Sequence, residues 1–216
     1  MKDRPLSAFK TLTVVFSLLF LFTSPLPPAW AVRPAVVLLQ EIRANLREKG
    51  EISSEAIERL NLEFSAAGGG WRVVPFFEAR NNLDQGFWSR MESGVELGIR
   101  PFYRWMPPLS WFYLGNSFHQ AWVKPGNDHP EWEIRMVFDI PLSWAFRSRG
   151  LELYVLNEYT YDLDFGRGVR NEIGGGIKMP LRVCRIPALL GLGWRHVDLI
   201  HEADEDQFEG TLRVKF

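Results

Sequence analysis

The sequence has little of what would make it a disulfide scaffold, a metal-thiolate protein or a nucleic-acid binder. Cys184 is the only cysteine, so no internal disulfide forms and stability has to come from burial and pairing. Four histidines, His119, His129, His196 and His201, have no cysteine partners and compose no zinc motif, so no metal and no cofactor is expected. Lys+Arg at 25 and Asp+Glu at 26 leave a formal net charge of -1, which excludes a basic surface for nucleic acid or anionic lipid. Gly174-Gly175-Gly176 lacks the following Lys-Ser/Thr of a phosphate loop and reads instead as room for a bulky neighbour or a strand bend.

What is present begins with an export signal. Lys2, Arg4 and Lys10 make a charged n-region, Thr11 to Phe22 is uncharged and apolar, and Pro25, Pro27 and Pro28 precede the small-x-small triplet Ala29-Trp30-Ala31. Residues 1–31 are therefore expected to be a signal peptide cleaved after Ala31. An uncleaved anchor is the alternative, but the run is shorter than the roughly 20 residues that span a bilayer. No cysteine adjoins it, which argues against a lipoprotein. Lys2, Arg4 and Lys10 against Asp3 carry +2, so the remainder stands at -3 against -1 for the whole chain.

Between Pro34 and Gly50, Ala35, Leu38, Leu39, Ile42 and Leu46 recur at helical spacing, and Ser53 or Ser54 is placed to cap a second short helix carrying Ile57 and Leu60. Residues 32–65 are expected to form a periplasmic helical hairpin. Leu46 to Ser53 resembles the helix-turn-helix that follows the signal peptide of some large porins.

After Ala66-Ala67-Gly68-Gly69-Gly70 the texture changes to aromatic-rich segments of about ten residues separated by turn residues. Glu131 to Ile140 sets Trp132, Ile134, Met136, Phe138 and Ile140 against Glu131, Glu133, Arg135 and Asp139. Phe208 to Phe216 sets Phe208, Gly210, Leu212, Val214 and Phe216 against Glu209, Thr211, Arg213 and Lys215. Val95 to Arg104 repeats the dyad. With Trp71–Arg80, Ser110–Val123, Leu151–Tyr161, Asn171–Met179 and Ala188–Leu199, the count is eight strands, an even number that suits a small up-and-down transmembrane barrel over residues 71–216. The fold class is all-β, antiparallel.

Alternation alone also fits a soluble β-sandwich or lipid carrier of the periplasm, the second alternative. Trp71, Tyr103, Trp105, Trp111, Trp132, Trp144, Tyr161 and Trp194 near strand ends favour a membrane girdle. Polar faces carrying charge in mid-strand favour a lumen of paired ions. The expected lumen set is Glu96, Arg100, Arg104, Glu133, Arg135, Asp139, Glu152, Glu158, Glu172, Lys178, Glu209, Arg213 and Lys215, packed shut rather than open as a pore.

The alternating terminal segment Phe208-x-Gly210-x-Leu212-x-Val214-x-Phe216 resembles the C-terminal signature of bacterial outer-membrane barrels, which the barrel assembly machinery reads. That resemblance implies location in the outer membrane, contact with its lipid and lipopolysaccharide, and an assembly signal in Phe208, Leu212, Val214 and Phe216. Glu131 to Phe216, through Arg135, Asn157-Glu158, Arg170-x-Glu172-x-Gly174 and Gly193-x-Arg195, resembles an uncharacterised outer-membrane family of unknown function, which implies a fold and no chemistry.

Ser117 and His119 lie two apart on one expected strand, about 7 Å apart on the same face. The pair resembles the His and Ser of outer-membrane lipid A deacylases, although the order here is Ser-x-His. This implies a hydrolase alternative to a structural or partner-binding barrel, with His119 as base for the Ser117 hydroxyl. His196 and Asp198 repeat the spacing, and His201 to Asp206 is an acidic loop with oxygen ligands for a divalent cation but no EF-hand frame.

Overall fold

The structure, a computed structural model, describes residues 33–47, 50–66, 70–102, 111–124, 126, 128–142, 150–200 and 204–216. The expected signal peptide, Tyr103, Arg104, Trp105, Trp144 and His201 lie outside these residues.

Ten antiparallel strands follow in chain order: β1 (Arg33–Arg47), β2 (Ile52–Ser65), β3 (Trp71–Asn82), β4 (Phe87–Ile99), β5 (Phe112–Val123), β6 (His129–Pro141), β7 (Glu152–Asp162), β8 (Arg167–Val183), β9 (Ile186–Leu199) and β10 (Glu205–Lys215). Each pairs with its sequence neighbours, and β1 pairs with β10 from Val37↔Lys215 to Arg47↔Glu205, closing the barrel. Closure leaves no strand edge, and backbone donors and acceptors are satisfied within the sheet.

The expected count of eight strands and the expected helical hairpin are both wrong. The described part of residues 34–62 is β1 and β2, and no helix occurs among the described residues. Both periods can be drawn through the same residues. Ile42 and Leu46 stand on a helical stripe with Leu38 and Leu39, but Leu38, Ile42 and Leu46 also alternate with Val37, Glu41, Arg43 and Asn45. Tertiary context selects the second pattern: as a strand the segment pairs on both sides, with β2 and β10, and places Glu41 and Arg43 among partners inside. Within Leu46 to Ser53, Leu46 accordingly pairs with Ile52, and Gly50 stands at φ +76° with its N–H bonded to the Arg47 carbonyl at 2.8 Å.

The two faces are inverted relative to a water-soluble protein. Glu41, Glu92, Glu96, Glu158 and Glu172 are buried inside, whereas Ile42, Leu60, Phe77, Phe118, Ile173, Leu192 and Phe208 are exposed outside. One interruption of the apolar exterior is the facing pair Gln40 and Glu58, which are exposed on β1 and β2.

Two hairpins share a turn. Leu83-Asp84-Gln85-Gly86 and Leu163-Asp164-Phe165-Gly166 are 80 positions apart (163 - 83), and each ends on a glycine with positive φ. Asn82 Oδ1 accepts from the N–H groups of Asp84 and Gln85, and Asp162 Oδ1 accepts likewise from Asp164 and Phe165. A register shift follows Arg80 in one and Thr160 in the other, and each return strand then carries Arg-x-Glu-x-Gly inward, Arg90-x-Glu92-x-Gly94 and Arg170-x-Glu172-x-Gly174.

The closing register is directly testable. In a Cys184→Ser background, Ala44→Cys with Phe208→Cys is expected to form an intramolecular disulfide on mild oxidation, because directly opposed residues bring their Cα atoms to about 4.5–5.5 Å. Non-reducing gel mobility reads it. A helical residue 44, not paired with β10, would give no such band.

Candidate functional site

Strand alternation delivers charge to the interior from every strand but β5, and the charges join into a chain of carboxylates and guanidinium groups. Arg80 bridges Glu92 (3.1 Å) and Glu78 (2.8 Å), and Arg59 bridges Glu78 and Glu96 (3.5 Å each). Arg135 lies 3.7 Å from Glu96, 3.1 Å from Glu133 and 2.6 Å from Glu158. Arg170 continues from Glu158 (3.8 Å) to Glu172 (2.9 Å), and Arg195 from Glu172 (2.9 Å) to Glu209 (2.6 Å). Tyr154 donates its hydroxyl to Glu209 at 2.5 Å. The chain passes through β2, β3, β4, β6, β7, β8, β9 and β10. β5 joins through Tyr113 to Glu96, and β1 supplies the Glu41–Arg43 pair.

A charge withdrawn from water costs several kcal/mol unless it is paired, which is why this interior holds almost no unpaired carboxylate. The seal is uneven. Side chains of Arg59, Arg80 and Arg195 are 10–12% exposed, but Arg100, Arg213 and Lys215 at the end where β1 starts and β10 finishes are 37–51% exposed. The sealed half lies toward the β3–β4 and β7–β8 turns.

Glycines make space for the bulkiest inward groups. A Cβ on Gly98 would strike the Tyr113 ring and one on Gly176 the Tyr154 ring, while Gly174 admits Arg195. Phe76 and Tyr113 give their faces to Arg59 (3.9 Å) and Arg72 (4.2 Å), stacking that suits a guanidinium.

Of the expected lumen residues, Glu96, Glu133, Arg135, Glu158, Glu172 and Glu209 lie in this chain. Asp139 pairs with Lys178 (2.5 Å) and Arg100 (4.0 Å), and Arg213 and Lys215 pair with Glu63 (3.0 and 3.3 Å). Glu152 is half-buried at the start of β7. The acidic loop divides: Glu205 points inward, near Arg47, whereas Asp204 (3.9 Å) and Asp206 (3.2 Å) both lie against His196. Sequence reasoning missed Arg59, Glu78, Arg80, Glu92, Arg170 and Arg195. The repeated Leu-Asp-x-Gly turn followed by Arg-x-Glu was the signal that would have found two of them, Glu92 and Arg170.

Ser117 and His119 both face inward on β5 and are 2% and 5% exposed. Ser117 Oγ lies 3.5 Å from His119 Nδ1, His119 Nε2 lies 3.0 Å from Glu131 Oε2, and the Phe76 ring stands edge-on to the imidazole. The hydroxyl-to-base distance of 3.5 Å exceeds the 2.6–3.2 Å of an activated nucleophile, and Ser117 is buried on the inner face of the sheet. The Ser117/His119 hydrolase reading gains no support from this geometry.

No protein-family model and no curated protein sequence matches the chain. Among solved structures it is similar to the Pseudomonas aeruginosa protein OccK9 (OpdG), at 13% identity and TM-score 0.33, covering 82% of this chain and 54% of that one. It is also similar to Neisserial surface protein A, at 11% identity and TM-score 0.29, covering 85% and 97%. A third likeness is the β domain of the Bordetella autotransporter BrkA, at 10% identity and TM-score 0.35, covering 85% and 100%. The chain thus spans about half the length of OccK9. Likenesses this loose carry no residue-level correspondence.

Because Arg195 joins Glu172 to Glu209, Arg195→Met is expected to cost about 3–5 kcal/mol of stability, the effect of removing one partner of a buried pair. Arg47→Ala, which removes a half-exposed pair with Glu205, is expected to cost under about 1 kcal/mol. Urea unfolding of the detergent-folded variants measures both.

Proposed function

We propose that this chain is an integral outer-membrane protein, exported by a signal peptide cleaved after Ala31, whose barrel is a closed scaffold with a structural or partner-binding role. The observation that carries this reading is the inverted sidedness: Glu172 is 0% exposed inside, and Ile42 is 63% exposed outside. In water such an exterior would aggregate. Against lipid it is the favourable arrangement, and the strands of 11 to 17 residues meet or exceed the roughly 9–11 needed to cross.

Rings gathered toward the strand ends support the same reading. Trp132 meets Phe118 and Tyr161 at centroid distances of 6.3 and 6.4 Å toward one end, and Phe112 meets Phe138 at 4.7 Å toward the other. A soluble sandwich has two sheets and an apolar interior, and a lipid carrier has an apolar cavity. This single closed sheet with a charged interior fits neither. The ion-pair chain supports a sealed scaffold over a substrate channel. On this reading Phe208, Leu212, Val214 and Phe216 face lipid and lipopolysaccharide, and β10 is the strand that the barrel assembly machinery engages.

The protein is expected in outer-membrane fractions with heat-modifiable gel mobility. Recovery wholly in the soluble periplasm would contradict the proposal. Glu58→Leu is expected to raise stability in lipid by up to about 2 kcal/mol, since an outward charge is unfavourable against hydrocarbon. In a water-facing position the same change would be neutral.

A further inference from the structure

One inward cluster does more than balance charge. On β4, β5 and β6, Glu92, His119 and Glu131 are all buried and offer donor atoms that lie within 4.8 Å of one another. His119 Nε2 is 3.0 Å from Glu131 Oε2 and 3.5 Å from Glu92 Oε2. Bonds of about 2.0–2.1 Å to a tetrahedral ion put neighbouring ligand atoms about 3.3 Å apart. Two of the three donor separations, from His119 to each carboxylate, are already close to that edge length.

The rest of the cluster is arranged to suit. Glu92 divides its oxygens: Oε1 takes Arg80 and Arg90, and Oε2 is turned to His119. His119 Nδ1 faces Ser117 Oγ at 3.5 Å, so Ser117 occupies the position of the outer partner that orients a metal-bound imidazole. The orientation of the ring is fixed by the edge of Phe76 and by Gly94, where a Cβ would strike His119. His129 Nε2 is 2.7 Å from the other Glu131 oxygen, Oε1, and its side chain is 18% exposed at the start of β6, which gives an adjoining imidazole and an entry path.

We propose that this cluster is a divalent-cation site of the zinc class, with His119 Nε2, Glu92 and Glu131 as ligands and His129 as the adjoining donor. The ring nitrogens favour zinc or cobalt over calcium and magnesium, which take oxygen ligands. On binding, the ion replaces Arg90 as the counter-charge of Glu131, while Arg90 keeps Glu92 Oε1. Zinc then ties β4, β5 and β6 together inside the sealed half.

The full chain, folded in detergent and stripped with a chelator, is titrated with Co2+ and then Zn2+ in a Cys184→Ser background. The expected result is one Co2+ per chain with the visible absorption of a four-coordinate site, displaced by Zn2+, and a saturable rise in unfolding temperature. His119→Ala and Glu131→Gln are expected to weaken binding at least tenfold, and His196→Ala, on the outer face, to leave it unchanged. Heat-modifiable mobility identifies folded variants. His119→Cys, which keeps a zinc ligand, is expected to retain stoichiometric Co2+ with a thiolate charge-transfer band even if His119→Ala fails to fold. Absence of stoichiometric binding by the folded parent, or equal binding by folded His119→Ala, overturns the proposal.

Discussion

The pairing of buried carboxylates with guanidinium groups is the constraint on which the rest of this barrel depends. Each ion inside has left water, and only a partner at hydrogen-bonding distance offsets that loss. Arg80, Arg59, Arg135, Arg170 and Arg195 each touch two or more carboxylates, so the pairs form one connected structure across the lumen. Shared partners make the chain more than a set of separate bridges, since losing one member strands its neighbours on both sides.

This requirement also fixes the sheet. A one-residue slip of any strand would exchange its faces, sending Glu172 outward and Ile173 inward. Turn chemistry holds the register from the other side. The Asn82 and Asp162 oxygens close their turns, and the glycines that follow admit the rings and guanidinium groups that the ion pairs require. Hairpin and lumen are thus specified together, which is why the Leu-Asp-x-Gly turn and the inward Arg-x-Glu recur as a unit.

The closed antiparallel sheet was legible wherever the interior face was charged and the exterior apolar without a break, as in Glu131 to Ile140 and Phe208 to Phe216. β1 and β2 were not legible because their apolar residues satisfy periods of 3.6 and 2 together, and only the partners β10 and β3 decide between them. Individual charges such as Glu96 and Glu158 could be assigned to the lumen from alternation alone. Their connectivity could not, because Arg135 reaches from β6 to both β4 and β7, a relation that depends on barrel curvature. The convergence of Glu92 and Glu131 on His119 was hidden for the same reason. Strand spacing displayed Ser117 beside His119 but not the carboxylates that reach it from β4 and β6.

The interior is shut by its own charges, and the current across a planar bilayer measures this most directly. With the folded protein inserted in concentrated potassium chloride, no steady conductance above the bare membrane is expected. A stable ohmic conductance from single insertions would show a continuous water path past Arg195, Arg80 and Arg59, and would contradict a sealed interior.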